Sequence, residues 1–173
     1  MKIVKYEKVP ADFKPWTSTY LLVARELIQL IQTEDIDVMH FGSTSAKVGG
    51  KGIIDLSVLY EKGQIDLAID RLKSLGFQEQ IAAKPFPPER PRKDGAVIYE
   101  GEKYLVHAHV IEKGSEEHVR QKDYRDYLLS NPSAREEYEL SKKSILEQGI
   151  KEQDAYGKLK SPFVKSVLNK LKA

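Results

Sequence analysis

HFGSTSAKVGGKGIIDLSVLY, residues 40–60, contains the pattern that decides the fold. A glycine-serine turn at Gly42 and Ser43 leads into a glycine-rich loop, and a run of branched apolar residues typical of a buried strand follows. Asp55 stands inside that run. Because an ionised carboxylate is costly to bury unless it is paired, hydrogen-bonded or bound to a metal, we expect Asp55 to have a partner.

Two strands are predicted to carry polar side chains on one face. Since side chains alternate along a strand, Asp55 and Ser57 share a face and oppose the apolar residues between and beside them. A later run, YLVHAHVI over residues 104–111, places His107 and His109 on one face in the same way. Two imidazoles in this arrangement suit chelation of one metal ion, with a pair of half-exposed polar side chains on a sheet face as the alternative.

The turn that precedes Asp55 has the composition of an anion cradle. Glycine at the end of a strand lets backbone amides approach a phosphate closely. Ser43, Thr44 and Ser45 add three hydroxyls, and Lys51 lies in the glycine-rich loop that follows. The segment is not a P-loop, because the required spacing of glycines, lysine and hydroxyl is absent. Many ordinary turns also contain glycine and serine, so the turn alone is a weak signal.

Periodicity along the rest of the chain predicts a mixed α/β or α+β protein. We expect a helical half after Gly114, with breaks at Pro132, Gly149, Gly157 and Pro162. The other predicted elements are strands over 3–9, 37–43 and 53–60, helices over 16–33 and 65–75, an exposed proline-rich loop over 84–94, and a hairpin formed by 97–100 and 104–112.

Composition limits the classes of function. A length of 173 residues predicts a single domain over 1–173. The absence of cysteine excludes thiolate metal sites, disulfides and cysteine nucleophiles. With 28 basic and 26 acidic residues, a dedicated nucleic-acid surface is not expected. No apolar run approaches the roughly 20 residues that cross a bilayer, so we expect no membrane association and a cytoplasmic location.

These motifs resemble those of a known superfamily. An apolar residue, Gly42, Ser43, eleven intervening residues and Asp55 are similar to the signature of the DNA polymerase β-like nucleotidyltransferases. The wider chain resembles the bacterial GrpB family of that superfamily, in the stretches GSTSAKVGGKGIIDLSV, HAHV followed by EKGS, YRDYLLSNPSAREEY and YGKLKSPFV. The resemblance implies an α+β, nucleotidyltransferase-like fold, in which a small mixed sheet is flanked by helices and the C-terminal third is helical.

The resemblance also implies roles for the residues at the turn and in the strand. Gly42 and Ser43 match the turn that contacts nucleotide phosphates, with Thr44, Ser45 and Lys51 beside it. Asp55 matches the first metal-binding carboxylate and is the catalytic candidate. Arg125 and Lys160, in family-like helical stretches, are further phosphate-binding candidates. For Arg125 the alternative is a pair with Asp126 that holds a helix in place.

The expected carboxylates are incomplete. The second one belongs at position 57, which is Ser57, and the strand that would supply the third offers His107 and His109. The expected cofactor is a divalent metal, Mg²⁺ or Mn²⁺, with Zn²⁺ as the alternative. Because Mg²⁺ prefers oxygen donors, ordinary transfer with a pair of Mg²⁺ ions fits poorly. Asp55, His107 and His109 would instead form a two-histidine, one-carboxylate set suited to Zn²⁺, Mn²⁺ or Fe²⁺.

Three functions follow as hypotheses. The leading one is a protein that binds a nucleotide or another phosphorylated ligand at Gly42, Ser43 and Asp55, with or without nucleotidyl transfer. The second is a non-catalytic interaction or adaptor module with a protein partner, because a GrpB-like domain occurs as an extension of dephospho-CoA kinase. The third is a metal-dependent hydrolase built on Asp55, His107 and His109.

Overall fold

The computed structural model describes residues 1–81, 84–149 and 153–172, and over 153–161 it describes the helix without its side chains. These residues form a mixed sheet and helices. The helices are α1 (Thr19–Ile31), α2 (Gly42–Ser45), α3 (Ile65–Leu75), α4 (Glu116–Ser130), α5 (Pro132–Glu147) and α6 (Gln153–Lys172). The strands are β1 (Ile36–Phe41), β2 (Ile54–Tyr60), β3 (Gln78–Glu79), β4 (Arg92–Tyr99) and β5 (Glu102–Glu112).

The sheet has the strand order β1-β2-β5-β4-β3, with β2 and β5 parallel and the other neighbours antiparallel. Its register pairs Asp55 with His107 and Ser57 with His109. Because residues at matched positions of neighbouring strands share a face, the aspartate and both imidazoles lie on the same side of the sheet. The pairing of β2 with β5 thus joins the two motifs, which lie far apart in the sequence.

The opposite face of the sheet forms the main core. Ile54, Leu56 and Val58 of β2 are fully buried there, as the alternation in the sequence predicts. α1 and α3 cover this face, and their buried residues are Tyr20, Val23, Ala24, Leu27, Ile31, Ala68 and Leu72. α3 has its predicted bounds and ends at Gly76, whose left-handed conformation forms the C-terminal cap.

The polar face of the sheet is adjacent to the helical half. Leu128 of α4 and Tyr138 of α5 belong to a second apolar cluster that also includes Ala46 and Val48, just after α2. α4 also contacts β1 and β5. The polar face therefore lies between the sheet and these helices. Among the described residues, no helix combines the length and the hydropathy that spanning a membrane requires.

The predicted first strand over 3–9 is wrong. Val4 and Ala96 form a single bridge, in which each backbone N–H donates to the other residue's carbonyl at 2.8 and 3.1 Å. The segment does not continue to pair with β4 beyond this bridge, because the Gln78 side chain hydrogen-bonds to both the backbone N–H and the carbonyl of Tyr6. The Tyr6 N–H donates to Gln78 Oε1 at 3.0 Å, and Gln78 Nε2 donates to the Tyr6 carbonyl at 3.3 Å.

The predicted proline-rich loop ends earlier than residue 94. Pro91 is the last of its prolines, so nothing prevents ladder pairing beyond it, and β4 begins at Arg92. Lys93 and Asp94, expected in an exposed loop, are buried. The predicted hairpin forms with longer strands, and Glu100 and Gly101 make its turn with positive φ angles.

Two further expectations about local structure are corrected. The strand predicted over 37–43 ends at Phe41, and Gly42–Ser45 make one helical turn where the strand was expected to run into a loop. The helical half breaks near Pro132 and Gly149 as predicted, but α6 continues through Gly157 and Pro162. Proline inside a helix removes one backbone hydrogen bond, and here that loss does not end the helix.

Candidate functional site

A carboxylate and two imidazoles meet on the polar face of the sheet. Asp55 Oδ1 lies 3.2 Å from His109 Nε2 and 3.7 Å from His107 Nδ1. One ligand atom from each of the three residues lies within 4.8 Å of the others. The Asp55 side chain keeps 27% of its surface exposed, whereas both imidazoles are largely buried. In the described part of the chain this is a group with the composition and spacing to hold a metal ion.

His107 is the more deeply placed imidazole. Its Nε2 lies 3.0 Å from the hydroxyl of Tyr6, so its two ring nitrogens have different partners. Burial lowers the pKa of His107 well below its ordinary value, and the nearby Asp55 carboxylate opposes this shift. His107 is therefore a neutral imidazole at physiological pH, which is the form that binds metals.

Aromatic rings surround His109. The edges of Phe41 and Phe86 meet its ring at centroid distances of 5.1 and 5.5 Å. Phe86 comes from the proline-rich segment, and the guanidinium of Arg92 lies 5.7 Å from its centroid. Arg92 in turn makes two contacts with the buried Asp94, at 2.8 and 3.1 Å. The predicted loop thus forms one wall of the site.

Gly42 allows the turn to lie directly against Asp55. Its φ is +76°, a left-handed conformation that favours glycine. A Cβ at this position would lie 2.8 Å from Asp55 Oδ2 and 3.3 Å from Asp55 Cβ. No side chain fits without moving the carboxylate, so the glycine fixes the distance between the turn and the strand.

Ser43 contacts a buried lysine of α5. Lys142 Nζ donates a short hydrogen bond to Ser43 Oγ, and the carbonyl of Gly49 lies 3.4 Å from the same nitrogen. The ammonium also lies 4.1 Å from the ring centroid of Tyr138. Only 2% of Lys142 is exposed. A cation from the helical half is thereby held at the glycine-serine turn.

Two clefts meet at Ser43 and Asp55. The first has a cavity volume of about 40 Å³, and its lining includes Lys14, Lys51 and Lys142. The second has a cavity volume of about 290 Å³, and its lining combines aromatic and aliphatic side chains with the polar residues His109, Glu117, Arg120 and Gln121. Because Asp55 lines both clefts, a ligand in either one would reach its carboxylate.

Thr44 and Ser45 lie near the predicted phosphate turn but use their hydroxyls within the protein. Thr44 Oγ1 lies 2.8 Å from His40 Nε2, and the Thr44 carbonyl accepts a hydrogen bond from Trp16 at 2.7 Å. Ser45 Oγ donates to the carbonyl of Gly42 at 2.6 Å. Thr44 and Ser45 are both buried, and their hydroxyls stabilise the turn. Of the three hydroxyl residues, Ser43 and Thr44 line the first cleft and Ser45 does not.

The structure describes the side chain of Arg125 but not that of Lys160, the two phosphate-binding residues predicted in the helical half. Arg125 donates to the carbonyl of His40 at 3.1 Å and to the carboxylate of Asp126 at 3.1 Å. These contacts attach α4 to the end of β1, which is the structural alternative considered for this arginine. The Lys160 side chain lies outside the described residues, so its assignment as a phosphate ligand stays a prediction.

Ser57 occupies the position expected for a second carboxylate and has a neutral partner. It is fully buried, and its hydroxyl donates a short hydrogen bond to Gln121 Oε1 of α4. A serine with a glutamine partner adds no negative charge to the site. The chemistry of a second carboxylate is therefore absent at this position, as the sequence indicates.

The sequence interpretation did not identify Lys142 and Tyr6 as site residues. A signal for Lys142 exists, because it follows Ala134 and Tyr138 at helical spacing on the buried face of α5. A lysine on an apolar face needs a specific reason to be there. Tyr6 gives no comparable signal. Its position depends on the bridge between Val4 and Ala96, which the local sequence pattern does not predict.

Solved structures with a similar fold show which fold this chain has. The chain superposes on Cid1 poly(U) polymerase with a TM-score of 0.50 at 12% identity, covering 73% of this chain and 40% of Cid1. A second Cid1 structure, in complex with the UTP analogue UMPNPP, gives the same values. The chain thus spans less than half of Cid1 and has the predicted nucleotidyltransferase-like fold.

The family is equally clear. The profile described as GrpB protein matches residues 8–170, and the chain therefore belongs to the GrpB family. It is 29% identical over 160 residues to the glutamate-rich protein GrpB of Alkalihalophilus pseudofirmus, covering 85% of this chain and 86% of that protein. It is 26% identical over 154 residues to a UPF0157 protein of Streptomyces coelicolor, covering 88% of this chain and 77% of that protein.

A pair of glycine substitutions tests the contact between the turn and the strand. Gly42 and Gly63 both have positive φ angles, of +76° and +83°, but a Cβ at Gly63 would meet nothing within 4 Å. Both Gly→Ala variants carry backbone strain of about 1 kcal/mol, and only Gly42→Ala also displaces Asp55. We expect urea denaturation to show a clearly larger loss of unfolding free energy for Gly42→Ala. Equal losses would show that the Asp55 contact is unimportant.

The pH dependence of stability tests the burial of His40. Burial lowers the pKa of His40 from 6.5 to about 4, so the unfolded chain takes up a proton at a higher pH than the folded one. This contribution to stability is complete above pH 6.5 and is lost as the pH falls towards 4, by about 3 kcal/mol. His40→Gln should flatten the profile in this window relative to wild type. If the unfolding free energies of wild type and His40→Gln, measured by denaturation at each pH, changed in parallel with pH, the lowered pKa of His40 would be contradicted.

Proposed function

We propose that this protein binds a phosphorylated ligand, with a nucleotide as the leading candidate, together with one divalent metal ion. The observation that carries the proposal is the position of Asp55. Its Oδ1 faces two imidazoles, and its Oδ2 is the atom that a Cβ at Gly42 would meet first. A metal held by Asp55 would therefore lie beside the place where the turn would hold a phosphate.

We also propose that residues 1–173 form one domain, which is supported by the length of the family match.

The phosphate part of the proposal rests on charge and on hydrogen-bond donors. The first cleft has three lysines and the Ser43 hydroxyl in its lining. Lys142 already donates to Ser43 Oγ, so a phosphate oxygen at the turn would find a buried ammonium within reach. Such a site favours an anion with several oxygens over a neutral ligand.

The metal part rests on the donor set. One carboxylate oxygen and two neutral imidazole nitrogens suit Mn²⁺, Zn²⁺ or Fe²⁺ better than Mg²⁺, which prefers oxygen donors. A pair of Mg²⁺ ions does not fit these residues, because Ser57 is engaged with Gln121 and supplies no carboxylate. We therefore derive no two-metal reaction. A single metal, when bound, would act as a Lewis acid on a phosphoryl oxygen.

The chain's own residues would divide the remaining tasks. Gly42 keeps the turn close to the carboxylate, and Lys142 holds the Ser43 hydroxyl in position. Phe41 and Phe86 flank His109 and limit the access of water to its ring. Nucleotidyl transfer would further require an acceptor, for which the second cleft offers space next to Asp55.

Metal-dependent hydrolysis of a phosphate ester is the second candidate. The observation that favours it is the two-histidine, one-carboxylate composition of the site, because such sites keep positions open for water. The two candidates differ in what happens to the nucleotide after binding. Chromatography of nucleotide recovered from the Mn²⁺-loaded protein separates them, since only hydrolysis consumes it without an added acceptor.

Replacing Asp55 tests the metal site. We expect wild-type protein to bind Mn²⁺ in calorimetric titrations and Asp55→Asn to lose this binding, because the only anionic donor of the set is removed. Asp37→Asn is the matched control, since Asp37 lies on the neighbouring strand and its carboxylate pairs with Lys113 at the surface. Absence of Mn²⁺ and Zn²⁺ binding in wild type, or equal binding by all three proteins, would overturn the proposal and favour the interaction module.

Replacing Lys142 tests the phosphate site. In titrations of nucleoside triphosphates in the presence of Mn²⁺, Lys142→Met should weaken binding at least tenfold, because a charge-assisted contact is lost. Lys143→Met is the control, since Lys143 is the exposed neighbour on the same helix. Thermal denaturation of both variants would identify a loss that is due to unfolding. A Lys142→Met protein that is folded and binds as wild type would exclude the turn as the phosphate site.

A further inference from the structure

Tyr6 contacts the proposed metal site from just before the residues that the GrpB profile matches. It precedes residues 8–170, which the GrpB profile matches. Its hydroxyl nevertheless lies 3.0 Å from His107 Nε2, and only 1% of the residue is exposed. The two rings lie 5.5 Å apart, centroid to centroid. A buried hydroxyl in contact with a candidate metal-binding histidine is a candidate for controlling how that histidine binds the metal.

The two nitrogens of His107 are assigned to different tasks by their neighbours. Nδ1 faces Asp55 Oδ1 at 3.7 Å, on the side where the three ligand atoms converge. Nε2 faces Tyr6 and is closed off from solvent. An imidazole nitrogen binds a metal only without its proton, and the other nitrogen then carries the N–H. In metal sites that N–H usually donates to a second residue, which fixes the tautomer and the ring orientation.

Tyr6 is held firmly enough to perform this task. Gln78 accepts a hydrogen bond from its backbone N–H at 3.0 Å and donates one to its carbonyl at 3.3 Å. A tyrosine phenol carries its proton at neutral pH, and that of Tyr6 is enclosed by the protein. A neutral phenol can donate to a bare Nε2 and can equally accept from an Nε2–H. It therefore suits His107 both with and without a metal.

We infer that Tyr6 is a positioning residue for the metal site, accepting the Nε2–H of His107 so that Nδ1 is the metal-binding nitrogen. The inference rests on the proposed function, because it requires His107 to be a ligand. It adds that Tyr6, which precedes the matched residues, completes the site. Without the hydroxyl, metal binding would leave a buried N–H without its hydrogen bond, which costs binding free energy.

The test compares zinc binding by wild-type, Tyr6→Phe and Tyr104→Phe proteins in competition with a coloured chelator. Tyr104 is the matched control, since it lies on the strand of His107 but on the opposite face, and its hydroxyl contacts Glu102. We expect Tyr6→Phe to bind Zn²⁺ about tenfold to a hundredfold more weakly and Tyr104→Phe to bind as wild type. Equal affinities of all three would overturn the role of Tyr6. Failure of wild type to bind would instead overturn the proposed metal site itself.

A spectroscopic readout separates positioning from a general loss of packing and does not require the variant to fold. Long-range ¹H–¹⁵N spectra of the zinc-loaded wild-type protein report which imidazole nitrogen carries the proton. We expect His107 to show a metal-bound Nδ1 and a slowly exchanging Nε2–H. Zinc on Nε2, or an Nε2–H that exchanges as fast as an exposed one, would contradict the inference.

Discussion

The site depends on one constraint, which is that a carboxylate placed inside a strand must be compensated by its neighbours. Asp55 lies in β2 with fully buried apolar residues on either side of it in the sequence. Its partners include the imidazoles on the adjacent parallel strand, and a turn that only glycine allows to approach lies directly against it. The sheet register places the imidazoles, and the Gly42 conformation places the turn. The geometry of the site therefore depends directly on the pairing of β2 with β5.

The helical half completes the site from the other side. Lys142 and Ser43 are 99 residues apart in the chain, and they meet because α5 packs beside the residues that follow the turn. Burying an ammonium is costly, and the contacts with Ser43, Gly49 and Tyr138 offset part of that cost. A lysine with no role at the turn could be replaced by an apolar residue of similar volume, which would pack on the same face of α5 without this cost.

The sequence predicted those parts of the structure that depend on local periodicity or on short motifs. The faces of β2 and the bounds of α3 follow from alternation and capping, and the shared face of His107 and His109 follows from their spacing. The contacts of Lys142 and Tyr6 were not predictable in this way, because they join distant segments. The early end of the proline-rich loop was missed because β4 forms by pairing with β5, and pairing overrides the composition of the residues next to Pro91.

The reduced number of carboxylates has an electrostatic consequence for the proposed function. One aspartate and two neutral imidazoles offset only half of the charge of a divalent cation, and the lysines of the first cleft add further positive charge. A site with more carboxylates would hold the metal without help from the ligand. Here a phosphate would supply the missing negative charge, so the metal and the anion each strengthen the binding of the other. Replacement of the second carboxylate by Ser57 thus favours joint binding of metal and phosphate over permanent binding of the metal alone.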